Sequence, residues 1–126
     1  MSTLLPQLIT DTARRTPDAP ALHFKQDSLS YAELDRAVGQ AAHAFLSLGL
    51  APDERVAIYL PKQFETVFAL YGAARAGGVF VPVNPLLKAA QVTYILKDCN
   101  VRVLVTSRER LEQLSAMLPD CHDLHT

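Results

Sequence analysis

Three short apolar runs recur at even spacing along the second half of the chain, and each gap between them carries a helical pattern. The runs are Val56-Ala57-Ile58-Tyr59-Leu60, then Val79-Phe80-Val81, then Val101 with Val103-Leu104-Val105. The gaps read as helices from about Gln63 to Ala76 and from about Ala89 to Cys99, with Gly77-Gly78 and Asn100 placed to end them. Short strands alternating with helices are βαβ units. Runs without polar alternation suit parallel strands covered on both faces. The expected fold class is therefore α/β: a partial three-stranded parallel sheet of βαβαβ units flanked by helices. Pro82 cannot donate to a ladder, so it ends its strand or sits at a bulge.

An N-terminal helix and a β-hairpin should precede this sheet. Residues 3–16 carry an apolar stripe of Leu4, Leu5, Leu8, Ile9 and Thr12/Ala13, and Thr16-Pro17-Asp18 stops it. Residues 21–31 read as a hairpin turning at Gln26-Asp27-Ser28. Ser30 to Leu48 is the best helix signal. Ser30 and Glu33 can form a capping box, Leu34, Val38, Ala41, Ala42, Phe45 and Leu48 fall at helical spacing, and Gly49 suits the residue after the end. A last helix should run from about Ser107 to Leu118, opened by a box between Thr106 and Glu109.

The segment Gln63–Ala76 is apolar on nearly every side, which predicts burial on every side. The sheet can cover one face, and the other calls for material beyond these elements, so self-association of the isolated chain is an expectation. With 126 residues, 49% of them apolar and 20% charged, the chain fits one globular domain. A net charge of −1 and no dense basic run give no footprint for nucleic acid. The most apolar stretch, Phe64 to Val83, holds Glu65, Arg75, a glycine pair and Pro82, which argues against a membrane span. The start of the chain lacks the pattern of a secretory signal. Cys99 and Cys121 form no CxxC and read as reduced thiols, with a cytoplasmic location expected.

No residue emerges as a catalytic, cofactor-binding or metal-binding candidate by pattern. There is no GxxxxGK[ST], GxGxxG or GxSxG. Gly77-Gly78 caps a helix C-terminus, the wrong end for an anion. Asp120-Cys121-His122-Asp123-Leu124-His125 gathers metal-ligand types, but after Pro119 it reads as a solvated tail. His23 and His43 read as surface or partly packed residues. Lys62 follows a strand's carboxyl end, where open α/β sheets bind ligands, and reads first as an exposed helix-start lysine.

The order of segments resembles the opening of the AMP-forming acid–CoA ligase superfamily, which also contains luciferases and peptide-synthetase adenylation domains. The resemblance is carried by Thr16-Pro17-Asp18-Ala19-Pro20-Ala21-Leu22, Leu29-Ser30-Tyr31-Ala32-Glu33-Leu34, and Leu48-Gly49-Leu50 with Asp53-Glu54-Arg55-Val56-Ala57. It continues through Ala74-Arg75-Ala76-Gly77-Gly78-Val79-Phe80-Val81-Pro82-Val83-Asn84-Pro85, Tyr94 to Cys99, and Val103 to Thr106. Lys62 and the stretch Val83 to Lys88 look like the ligases associated with bacterial exosortase A gene clusters. The resemblance implies adenylation of a carboxylic acid by ATP with Mg²⁺, then thioester formation with CoA. It also implies that residues 1–126 are the N-terminal, incomplete part of an AMP-binding domain, whose partner is the remainder of the ligase chain. In that family the phosphate loop ending in Pro-Lys-Gly, the Thr-Glu pair for Mg²⁺, the ribose Asp and the mobile Lys all lie downstream, so no catalytic residue carries over.

Two other readings stay open on the residues alone. One is a small α/β binding module with a ligand near Lys62 and Asn84 at the strand carboxyl ends. The other is an interaction module that completes its core by self-association or with a partner chain.

Overall fold

The computed structural model describes residues 5–126. Among the described residues five α-helices and five strands follow the expected order, with one 3-10 turn at Leu118–Asp120 after them. Helix α1 (Leu5–Arg15) leads into strands β1 (Pro20–Phe24) and β2 (Asp27–Ser30), which pair antiparallel. The hairpin turns through Lys25 at φ 57, one residue earlier than the sequence suggests, and not at Gln26-Asp27-Ser28. Leu4, predicted within the first helix, lies outside the described residues. Leu8 is 52% exposed despite its place in the stripe, and Ile9 is the residue that α1 buries.

Helix α2 (Tyr31–Ser47) opens with the predicted capping box. The Glu33 N–H donates to the Ser30 hydroxyl at 3.2 Å, and the Ser30 N–H donates to the Glu33 carboxylate at 3.0 Å. It buries Leu34, Val38, Ala42 and Phe45, and Gly49 at φ 88 turns the chain away. Leu48 is exposed, so the apolar face stops one turn short of expectation.

The second half alternates β3 (Arg55–Tyr59), α3 (Phe64–Arg75), β4 (Val79–Pro82), α4 (Ala89–Asp98), β5 (Val101–Thr106) and α5 (Arg108–Leu114). The three strands form one parallel sheet in the order β4-β3-β5, with β3 in the middle. Gly77 (φ 90) and Asn100 (φ 53) end α3 and α4 in the left-handed region, as their residue types predict. Pro82 closes β4 opposite Ile58.

Two apolar layers cover the sheet. On one face Val56, Ile58 and Val103 pack with Ala69 and Ala73 of α3. On the other Ala57, Tyr59 and Val101 pack with Val92 and Leu96 of α4 and Leu114 of α5. Val101 and Val103 would share a face in a regular strand. A bulge at Arg102 separates them: Val101 aligns with Arg55 and Val103 with the next residue, Val56. The extra residue is held by an ion pair from Arg102 Nε to Glu54 at 2.7 Å.

The structure corrects three further sequence expectations. The far face of α3 is covered by the chain's own N-terminal third: Val67, Phe68 and Tyr71 pack against Ile9, Leu34 and Val38. The last helix is shorter than predicted, and Ser107, not Thr106, caps it, accepting from the Arg110 N–H at 3.3 Å. Thr106 is drawn off by the sheet, its hydroxyl donating to the Tyr59 carbonyl at 2.8 Å. The C-terminal segment is no solvated tail. Cys121 is 5% exposed within the second layer, and the backbone of His125 and Thr126 bonds to Arg102 and Leu104 along the outer edge of β5.

Candidate functional site

The carboxyl ends of the strands open into two clefts. The first lies between α3 and the loop after β4. Beyond β3 the chain passes through Pro61, Lys62 and Gln63 into α3, and the Thr66 hydroxyl donates to the Pro61 carbonyl at 2.7 Å to fix that corner. Beyond β4, the Asn84 side-chain oxygen accepts from the Leu86 N–H at 2.9 Å, a local turn that asparagine favours. The resulting groove of about 420 Å³ has walls that include Ile58, Leu60, Val67 and Leu70, with Lys62 and Asn84 both on its lining. The structure thus brings Lys62 and Asn84 around one groove. It does not make them converge as ligand donors: Asn84 is committed to its turn, and Lys62 is exposed.

The second cleft, about 610 Å³, opens between the loops after β4 and β5, beside Tyr59. Tyr59 is buried at the end of β3, and its hydroxyl donates to the Leu87 carbonyl at 2.7 Å. The Arg110 guanidinium lies over the Tyr59 ring, 4.5 Å from its centre, and donates from Nη1 to the Pro85 carbonyl at 2.8 Å. Lys88, Ser107, Glu109 and Gln113 complete the polar lining. Sequence reasoning missed this cleft, because it is assembled from the end of β3, the loop after β4 and the start of α5, and no local spacing announces it.

It also missed the contact that ties α1, α2 and α3 together. Arg75 Nη2 meets the Asp35 carboxylate at 2.7 Å and the Thr10 hydroxyl at 3.0 Å, and its Nη1 donates to the Asp35 carbonyl. An arginine closing an apolar helix was the available signal. Its partner 40 residues away was not.

The remaining candidates sort plainly. His23, His43, His122 and His125 are exposed. Burial pushes the Cys121 thiol up from its ordinary value, which makes it a poor nucleophile. Glu33 is held below the usual carboxylate range, first by the Ser30 backbone N–H and then by the Ser30 side chain, and so acts as a cap. Among the described residues, no three His, Cys, Asp or Glu side chains gather where they could hold a metal ion. No such cluster among the described residues fits Mg²⁺. No helix among the described residues is long and apolar enough to cross a membrane.

Comparison with known proteins places this geometry. Residues 9–125 match the family described as AMP-binding enzyme. Tyrocidine synthase 3 of Brevibacillus parabrevis is 36% identical over 124 residues, covering 96% of this chain and 2% of that protein. The inhibitor-bound N-terminal domain of FACL13 from Mycobacterium tuberculosis superposes with a TM-score of 0.84 at 26% identity, over 91% of this chain and 29% of that one. The anthranilate CoA ligase AuaEII, solved with anthranoyl-AMP, shares the fold with a TM-score of 0.90 at 23% identity, over 97% of this chain and 24% of that one. The chain therefore spans a small part of each relative's length. With its sheet, its helices and nearly all of its sequence in register with that family, the chain belongs to the AMP-binding enzymes.

Proposed function

We propose that the chain is the N-terminal scaffold segment of an ATP-dependent acid–thiol ligase, and that it neither adenylates a carboxylate nor grips ATP by itself. The observation that carries this is the family match over residues 9–125, a span whose residues singled out above serve as caps, turns and core. Ser30 and Glu33 cap α2, Gly49 and Gly77 end helices, and Val56 to Tyr59 fill the middle of the sheet. Transfer of an adenylyl group needs fixed positive charge and inward-facing amides around the phosphates. On this reading those groups, with ATP, Mg²⁺ and CoA, belong to the remainder of the ligase, and no residue of residues 1–126 touches the reacting atoms. The two halves of the reaction would take place in the cytoplasm, on a carboxylic acid that the chain does not itself select.

CoA is favoured as the thiol by the likeness of the fold to a CoA ligase, whereas peptide synthetases among the relatives favour a carrier-bound thiol. Lys62 and Val83 to Lys88 support placing it with the exosortase A-associated ligases. ATP–pyrophosphate exchange by the purified chain tests the central claim. No exchange above background is expected, and turnover by these 126 residues unaided would refute it.

The groove at Lys62 and Asn84 favours a second reading, a small α/β binding or interaction module. Its walls are apolar, so the occupant would be an apolar segment or a second copy. Light scattering across a concentration series separates the two readings, since a module of this kind associates and a scaffold covered by its own α1 and α2 does not.

A further inference from the structure

In the sheet order β4-β3-β5, the connection after β3 leaves toward one face and that after β5 toward the other. The crevice beyond the carboxyl ends of two such strands is where open α/β sheets bind ligands, because the diverging connections leave a gap there. The cleft beside Tyr59 occupies this position, with Tyr59 ending β3 and Ser107 following β5.

We propose that this cleft is an oxyanion site, in which Arg110 and Lys88 receive the carboxylate or phosphate group of a small ligand. Arg110 is already oriented. The Tyr59 ring supports its face, and the Pro85 carbonyl engages Nη1. Tyr59 is in turn locked by burial and by its bond to Leu87. What remains of the guanidinium is the Nε–Nη2 side, a planar pair of donors that matches two oxygens of one oxyanion. A guanidinium fixed before the ligand arrives gives up less freedom on binding.

The charge balance points the same way. Among the described residues the ion pairs join Arg75 to Asp35 and Arg102 to Glu54. Neither Arg110 nor Lys88 has a carboxylate within that reach. Glu109 also lines the cleft, is exposed, and opposes an anion there. It therefore supplies an opposite-signed control. This inference is independent of the scaffold reading, since it concerns binding by residues of this chain and not adenylation.

The test is an NMR titration of the ¹⁵N-labelled chain with inorganic phosphate and with sodium acetate, against sodium chloride at equal ionic strength. Saturable shifts at Ser107 and at the Arg110 Nε–H with either oxyanion, absent with chloride, are expected. The tighter of the two names the ligand's head group. Arg110→Ala should weaken binding by ~10-fold or more and Arg110→Lys by less, because lysine keeps the charge and loses the planar fork. Lys88→Gln should also weaken it, and Glu109→Gln should tighten it. Should Arg110→Ala fail to fold by circular dichroism, the exposed Lys88 and Glu109 variants decide. Unsaturable shifts, equal shifts with chloride, or affinity unmoved by Lys88→Gln and Glu109→Gln would overturn the proposal.

Discussion

Ser30 carries more of the local order than its size suggests. Its hydroxyl satisfies the Glu33 N–H, and its own N–H is satisfied by the Glu33 carboxylate, so one residue starts α2 and closes the hairpin at once. Ser30→Ala should cost about 1 kcal/mol, read as a lower urea midpoint at unchanged slope. The carboxylate half is pH-dependent. The native Glu33 carboxyl titrates below its ordinary value of 4.5, so the unfolded chain binds this proton first as pH falls. Its stabilisation is whole above the unfolded value and is lost as pH drops through the lowered native value. Glu33→Ala should therefore be less stable than the parent at pH 7, and the two should converge in acid. A gap that persists at pH 2 would refute this account. The Arg75–Asp35 pair is 25% and 35% exposed, so solvent screening keeps its worth small. A double-mutant cycle should return a coupling of about 0.5 kcal/mol.

The elements themselves were legible wherever one local rule sufficed. Continuous apolar runs marked β3, β4 and β5, and left-handed residues marked the ends of α2, α3 and α4. Apart from the hairpin turn, which a left-handed Lys25 moves by one residue, the main failures lie where a distant residue decides. The sequence favours Thr106, whose box partner would be Glu109, and the Tyr59 carbonyl, 47 positions away, removes Thr106 from contention. The all-round apolarity of α3 predicts burial on every side; Ala69, Gly72 and Ala73 are buried while Val67, Phe68 and Tyr71 are half-buried, and their cover could not be assigned, because nothing local says that α1 and α2 fold back over it. The close approach of α2 and α3 yields a sharp expectation. A Cβ built at Gly72 would lie 2.5 Å from the Ala41 Cβ and 3.2 Å from backbone atoms of Ala41 and Ala42. Helix propensity alone makes Gly→Ala favourable by about 1 kcal/mol. Here the clash should win, since the obstructing atoms include backbone that cannot swing aside, and Gly72→Ala should destabilise by roughly 1–3 kcal/mol. A thermal midpoint equal to or above that of the parent would show that the two helices can separate without cost.

At the scale of the whole molecule, the question is whether the C-terminal segment folds with the sheet or merely rests on it. The cleft beside Tyr59 and this segment were the least legible parts of the chain, because each depends on separated stretches meeting after the sheet has formed. Asp120 to His125 looked solvated by composition, yet Cys121 joins Leu96, Val101 and Leu114 in one apolar layer. The His125 N–H and the Thr126 carbonyl then bond along β5 at 2.8 Å each. A group placed in a shared core should become accessible only when that core opens. Cys99 and Cys121 are both free thiols, the first partly exposed and the second buried, so the chain supplies its own reference. A thiol-reactive disulfide probe at pH 8 should therefore label Cys99 quickly and Cys121 slowly. The raised titration of Cys121 contributes to that slowness, so its rate must be scaled to the same thiol in the unfolded chain. After scaling, Cys121 labelling should accelerate with urea along the slope of global unfolding, because Leu114 and Val101 must part before the thiol is reached. Labelling with little urea dependence would mean that residues 119–126 detach by themselves, leaving the edge of β5 open while the sheet stays intact. In that case the bonds from His125 and Thr126 would be an addition to the fold and not part of its cooperative unit.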